Sequence, residues 1–363
     1  MEPFDIAIIG AGIAGAGLAA HLPAGKKVLL LEAESQPGYH STGRSAAMFI
    51  ANYGNATIRA LNVLSLPAFE SPERYGITTP LLSARGEMLL CEPGQEAGFV
   101  TMLADDPSLQ EIPVSDAYRR VPILREGRFI RAAIQTNAHD IDVDLLHQSW
   151  LKMAAQSGHR LVCNARVRTL TRTDGGWQLD TPAGVFHSRV VVNAAGAWAD
   201  TVAVLAGVAP LGLVPKRRSI AVIAAPVGMG AERWPVLMDV DENWYAIPRA
   251  GKLLVSPADA EPVEAGDAYA EDLVLAQGID RFEQATTISV ERVEHNWAGL
   301  RTFAADNTPV VGFEPRQEGF FWLAGQGGYG IQTSPAMSAI AAALLQGESI
   351  HPELEQALSP ARF

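Results

Sequence analysis

Phe4-Asp5-Ile6-Ala7-Ile8-Ile9-Gly10-Ala11-Gly12-Ile13-Ala14-Gly15 opens the chain. Six residues of strand-forming character run into a glycine turn, and Ala16 to about His21 continue as an apolar helix. The glycines permit the tight turn, admit a pyrophosphate to the backbone and let helix and strand pack closely. Amides at the helix start then face phosphate charge. A second strand, Lys27–Glu32, ends on Glu32, where a carboxylate holds ribose hydroxyls and repels a 2′-phosphate. Gly10, Gly12, Ile13, Ala14, Gly15, Glu32 and Ala33 therefore form a candidate dinucleotide site, on a strand–turn–helix–strand unit of doubly wound α/β type.

The composition is compatible with a large enzyme-like core. The 363 residues are 48% hydrophobic and 19% charged, enough for two domains sharing an interface. A net charge of −12 argues against a nucleic-acid partner. Two cysteines, Cys91 and Cys163, lack metal-ligand spacing, so neither a metal nor a disulfide framework is expected, and a cytoplasmic location fits. No apolar run reaches membrane length, and the chain reads as soluble.

Two further glycine blocks narrow the cofactor. Gly38-Tyr39-His40-Ser41-Thr42-Gly43-Arg44-Ser45-Ala46-Ala47 is rich in small and hydroxyl side chains, suited to close approach by a ligand. Phe320–Ala324 reads as a buried strand leading into Gly325-Gln326-Gly327-Gly328-Tyr329-Gly330-Ile331-Gln332-Thr333 and a helix from about Pro335 to Leu345, with Ser334 as its expected cap. That helix start is placed to stabilise negative charge on a reduced flavin. Between them, Asp142 reads as the cap of a helix over Val143–Gln156. Strands are expected at Arg160–Val167, Trp177–Thr181 and Val185–Arg189. Val190–Asn193 then exits into Ala194-Ala195-Gly196, with Trp198 just beyond. Proline-richer stretches with strand patterns, such as Arg218–Ile223 and Thr286–Val293, fill the intervals. The expected organisation is a doubly wound FAD-binding domain (1–47, 141–209 and 299–363) interleaved with a mixed-sheet substrate domain (48–140 and 210–298), α+β overall.

Together these blocks, with Gln36–Ala47, Pro215-Lys216-Arg217-Arg218-Ser219 and Trp297-Ala298-Gly299-Leu300-Arg301, resemble the D-amino-acid oxidase-like (DAO) superfamily of FAD-dependent amine oxidoreductases. Sarcosine oxidase and glycine oxidase are members, and bacterial D-arginine dehydrogenase resembles the chain still more. The resemblance implies bound FAD, with Ser41, Thr42, Gly43, Arg44, Ser45, Ala46, Ala47, Val167, Ala194, Ala195, Gly196, Trp198 and Gly327 to Thr333 among its contacts. It also implies hydride transfer from Cα of a D-amino acid to flavin N5, then hydrolysis to a 2-oxo acid and ammonia.

Carried over residue by residue, a substrate-carboxylate clamp falls on Arg218 and Arg301, and active-site tyrosines fall on Tyr53 and Tyr245. Gly328 turns its carbonyl to the amine, and Glu87 reads a cationic side chain. Guanidinium forks suit a carboxylate, although Lys216-Arg217-Arg218 also reads as a solvated basic run. Met48 and Ile50 stand where the dehydrogenase has histidine and threonine, which favours bulkier or more apolar side chains. Ser256 aligns with the oxygen-activating lysine of sarcosine oxidase, which favours an acceptor other than oxygen, as yet unidentified. Alternatives are a glycine/sarcosine-type oxidase producing peroxide, a 2-hydroxyacid oxidoreductase, and a non-catalytic flavin-binding protein.

Overall fold

In a computed structural model that describes residues 3–363, the opening pattern folds as the spacing requires. Phe4–Ile9 is a strand, Ile13–His21 a helix and Val28–Leu31 a second strand parallel to the first. Arg160–Val162 joins the far side of Val28–Leu31, while Gly184–Asn193 and then Phe320–Ala324 join the other edge, all parallel. Thr169–Thr173 and Gly176–Thr181 extend Gly184–Asn193 antiparallel, and Val310–Phe313 closes on Phe320–Ala324, giving eight strands. The central parallel strands Phe4–Ile9, Val28–Leu31 and Phe320–Ala324, covered on both faces, read as near-continuous apolar runs. Helices Ile13–His21, Val143–Gln156 and Ser334–Leu345 cover one face.

A second eight-stranded sheet draws on two distant stretches of chain. Its order is His295–Phe303, Val214–Ala224, Lys252–Ser256, Tyr245–Arg249, Val236–Asp239, Glu87–Cys91, Arg131–Gln135, Gln110–Ile112. Only Val236–Asp239 and Glu87–Cys91 run parallel, so the sheet is mixed. The strand His295–Phe303 crosses position 299 and pairs along its whole length with Val214–Ala224, so the second sheet presents Arg301. Met48–Phe49, His139–Ile141 and Leu82–Ala84 form a small third sheet. The mixed α/β architecture agrees with the expected class.

Four local expectations need correcting. The strand expected over Arg160–Val167 stops at Val162, because Asn164 turns into the left-handed region at φ 52°. Thr286–Val293 is not a strand. Its amides go to Ile123 O (from Thr287) and to the Glu283 carboxylate (from Val290) rather than to a ladder, and only Thr286 makes an isolated bridge. Val185–Arg189 and Val190–Asn193 are one continuous strand, Gly184–Asn193. Ser334 is the first helical residue rather than the cap. Its hydroxyl donates to Ile331 O, and Thr333 takes the cap position without a side-chain bond to a helix amide. The Asp142 cap holds, its side chain accepting from Leu145 N.

Candidate active site between the two sheets

The carboxyl ends of the parallel strands open into a cavity of ≈ 430 Å³ that the second sheet roofs. Open α/β sheets place their ligands at this edge. Gly10 sits at φ +104°, where an added Cβ would lie 2.4 Å from Ala194 O; one at Gly15 would lie 1.9 Å from Gly10 O. Gly12, the cap residue of the helix Ile13–His21, has no side chain to occupy the first-turn amides, and Ile13 and Ala14 border the cavity. Thr42 Oγ1 accepts from Ile13 N at 3.0 Å and so pins the second glycine block against the first. Glu32 is buried and accepts from Ala11 N and Glu34 N through different oxygens, leaving each a lone pair for a hydroxyl donor.

Every residue of the expected cofactor set lines this cavity except Gly15, Gly43, Tyr329 and Thr333. Gly15 and Gly43 serve close backbone packing, Gly43 against Gly38 O. The Tyr329 ring packs edge-on against Tyr53 at 5.1 Å, and the Thr333 hydroxyl donates to Tyr329 O. Arg44 reaches the wall already engaged. It is ion-paired with Asp267 and donates to Ala268 O and Ala298 O. The cavity also holds an unmet donor: Gln332 is buried, its Oε1 accepts from Ile50 N, and its Nε2 has no protein partner.

The seven residues expected to touch substrate, Arg218, Arg301, Tyr53, Tyr245, Glu87, Gly328 and Met48, all line the same space, as does Ile50. Strand alternation explains the clamp. Arg217 turns to the opposite face and pairs with Asp259, Glu261 and Glu271. Arg218 faces the cavity with its guanidinium carbon 5.8 Å from the Tyr245 ring centroid and with Nε unpartnered. Among the described residues neither Arg218 nor Arg301 has a carboxylate partner. The solvated-run reading of Lys216-Arg217-Arg218 does not hold, since Arg217 is buried and saturated.

Burial works against the Arg301 charge, but the Tyr245 and Tyr53 oxygens, the Glu242 carboxylate and Tyr329 oppose it and raise its pKa. Burial, then Glu242, push the Tyr53 phenol up to about 12, so Tyr53 is an O–H donor rather than a base. Burial also pushes Glu87 up to about 7.

The family model of FAD-dependent oxidoreductases designated DAO matches residues 5–344. The chain belongs to the DAO family, and its cofactor is FAD. The cradle of glycine turns, helix start, Glu32 and orphaned Gln332 amide fits that group. Dimethylglycine dehydrogenase of Homo sapiens is 24% identical over 90% of this chain and 40% of its own length. Among solved structures, glycine oxidase from Geobacillus kaustophilus superposes with TM-score 0.83 at 23% identity over 99% of both chains. L-proline dehydrogenase from P. horikoshii gives 0.84 at 20% identity over 100% of this DAO chain and 98% of its own. The DAO chain spans about a third to a half of the length of the curated relatives it first matches.

Ser256 stands directly across the ladder from Tyr245, on the face of the roof sheet that carries Ile220, Ile247 and Leu254. It is fully buried, donates from Oγ to Ser219 O, and with its short side chain does not line the cavity. Sequence reasoning also missed Glu242, Ile220, Val236, Met238 and Ile247, which line the roof. The last four follow the period of two set by Arg218 and Tyr245. Glu242 stands at φ 52° on a turn that carried no such signal.

Proposed function

We propose that this DAO-family chain is an FAD-dependent D-amino-acid dehydrogenase of D-arginine dehydrogenase type with a broad side-chain range. One observation carries the reading: two guanidiniums, Arg218 and Arg301, face one cavity, and neither is ion-paired to a carboxylate among the described residues. A carboxylate is the ligand that such a pair lacks.

When bound, FAD supplies a two-electron acceptor for the hydride of the substrate Cα. Arg218 and Arg301 grip the carboxylate, which fixes Cα and directs the amine to the Gly328 carbonyl. The amine enters neutral and gives up a proton as the C=N bond forms. Water then adds to the released imino acid, yielding the 2-oxo acid and ammonia. Tyr53, a neutral phenol, and Tyr245 complete the wall about the carboxylate. Positioning supplies much of the rate, so no strong base is required. Met48 and Ile50 offer apolar surface to the side chain, and Glu87 offers a carboxylate. No lysine lines the cavity among the described residues, which supports an acceptor other than oxygen. D stereochemistry rests on the resemblance.

The test is anaerobic addition of a panel of D- and L-amino acids while flavin absorbance is followed. Bleaching by D-amino acids with ammonia release is expected. Bleaching by 2-hydroxy acids instead would overturn the reading, as would bleaching only by glycine or N-methylated amines.

A further inference from the structure

Ile50 and Tyr53 both line the cavity and stand at the two ends of one turn, in which Tyr53 N donates to Ile50 O at 3.2 Å. The helix Ala56–Glu70 follows at once, its cap Asn55 accepting from Ile58 N. Asn62, four residues beyond Ile58, is fully buried and directs its amide back at the turn. Its Nδ2 lies 3.0 Å from Ala51 O, 3.3 Å from Tyr53 O and 3.4 Å from Ile50 O. One side-chain amide, with two N–H groups, therefore collects three carbonyls of the turn that carries Tyr53.

The same segment is held from other sides. Gln332, in the third glycine block, accepts from Ile50 N at 3.1 Å, and Asn52 Nδ2 donates to Asp106 at 2.7 Å. Ser65, on the Asn62 face of its helix, accepts from Ala336 N in the first turn of Ser334–Leu345 at 3.2 Å. The helix Ala56–Glu70 thus braces the Ile50–Tyr53 turn against the glycine block on the cofactor side of the cavity.

Asn62 itself does not line the cavity. Its Oδ1 is buried without a partner among the described residues. An unmet buried acceptor costs stability, and an apolar side chain of similar shape would leave none. What the amide adds at this place is its pair of donors, and they act on the backbone that aims Tyr53.

We propose that Asn62 is a positioning residue for substrate binding, fixing the Ile50–Tyr53 turn so that the Tyr53 hydroxyl meets the substrate carboxylate. The inference rests on the amino-acid reading above and adds to it a residue outside the cavity. Arg218 and Arg301 come from the roof sheet and keep their grip when Asn62 is replaced. A contact to the carboxylate is made before hydride transfer and kept through it, so its loss raises KM and leaves kcat in place.

The experiment uses the FAD-loaded protein and propanoate, a carboxylate without an α-amine, so that binding is read from the flavin absorption band without turnover. Asn62→Leu, similar in shape and without donors, is compared with the wild type, and the pair is compared again in a Tyr53→Phe background. Asn62→Leu should weaken propanoate binding about tenfold and raise KM for the best D-amino acid by a similar factor, with kcat held within about twofold. With Tyr53→Phe in place, the same replacement should change the dissociation constant by less than about twofold, because the hydroxyl it positions is gone. Asn62→Thr keeps one hydroxyl donor and should fall between.

A merely structural role lowers FAD content, kcat and propanoate affinity together, and by equal factors in both backgrounds. That pattern overturns the proposal, and so does wild-type propanoate affinity in Asn62→Leu. Should Asn62→Leu not fold, Asn62→Thr carries the same cycle. Coupling between Asn62 and Tyr53 in a protein that does not oxidise D-amino acids sinks the proposed reaction alone. Oxidation of D-amino acids without that coupling sinks the role of Asn62 alone. If propanoate does not bind the wild type, the clamp and the role of Asn62 fall together.

Discussion

Three arginine-to-methionine replacements, at Arg217, Arg218 and Arg301, separate a structural ion pair from a ligand clamp. Arg217 and Arg218 are sequence neighbours, yet they face opposite sides of the strand. The Arg217 guanidinium lies 3.3 Å from Asp259 and 3.8 Å from Glu261, and it also binds Glu271. The Asp259 side chain is 2% exposed, so Arg217→Met strands a buried carboxylate at a cost of about 3–5 kcal/mol. A fall of several degrees in Tm is expected.

Arg218 and Arg301 have no such partner. The Arg218 Nε is buried without a partner, so Arg218→Met leaves the Tm of the ligand-free enzyme unchanged or higher, whereas Arg301→Met gives up the favourable tyrosine and Glu242 surroundings and lowers it modestly. Each instead strips a partner from the bound carboxylate, about 2–5 kcal/mol, or roughly 30- to 5000-fold in kcat/KM. Calorimetry with and without a carboxylate ligand, steady-state kinetics and the flavin content of each variant make the assay. Arg218→Met and Arg301→Met should keep their FAD and lose the ligand-induced rise in Tm. Wild-type efficiency in Arg301→Met would refute the clamp. A large Tm loss in all three variants would refute the distinction between the two faces.

Acid precipitation should leave FAD in a yellow supernatant, because neither Cys91 nor Cys163 lines the cavity; a colourless supernatant over a yellow pellet would show covalent attachment. Turnover with phenazine methosulfate should far exceed turnover with oxygen alone, and stoichiometric hydrogen peroxide at comparable rates would reverse that expectation. Glu87→Leu should lower kcat/KM for D-arginine at least about tenfold at neutral pH while D-methionine holds or improves, since a charge-assisted contact is worth roughly 1.5–3 kcal/mol. Equal losses on both substrates would make Glu87 a structural residue.

Much of the cofactor half was legible before any coordinates, because its signals are local. Gly10 is required by its own left-handed φ, Asp142 caps the helix it precedes, and Glu32 ends a strand of unbroken apolar residues. The family motifs supplied the rest of the lining. Thr286–Val293 shows where local pattern fails: its residues suit a strand, but no neighbouring strand edge receives their amides.

What the sequence determined by itself was the dinucleotide turn, the parallel α/β core and the residue types available to grip a carboxylate. Which of those residues face the cavity was decided only by tertiary structure. A strand turns successive side chains to opposite faces, so a shift of one residue reverses a role. Arg217 and Arg218 read alike as letters. The stretch carrying Asp259, Glu261 and Glu271 saturates one and leaves the other bare. Ser256 lies across the ladder from Tyr245 on the cavity-side face, and only the fold shows that its hydroxyl is engaged by Ser219 O. Glu87 met Gln135, with Ser108 and Asp106 beyond it, only when folding brought them together from separate parts of the chain. Charge state is a property of what surrounds a carboxylate, and that neighbourhood is not written next to it in the sequence.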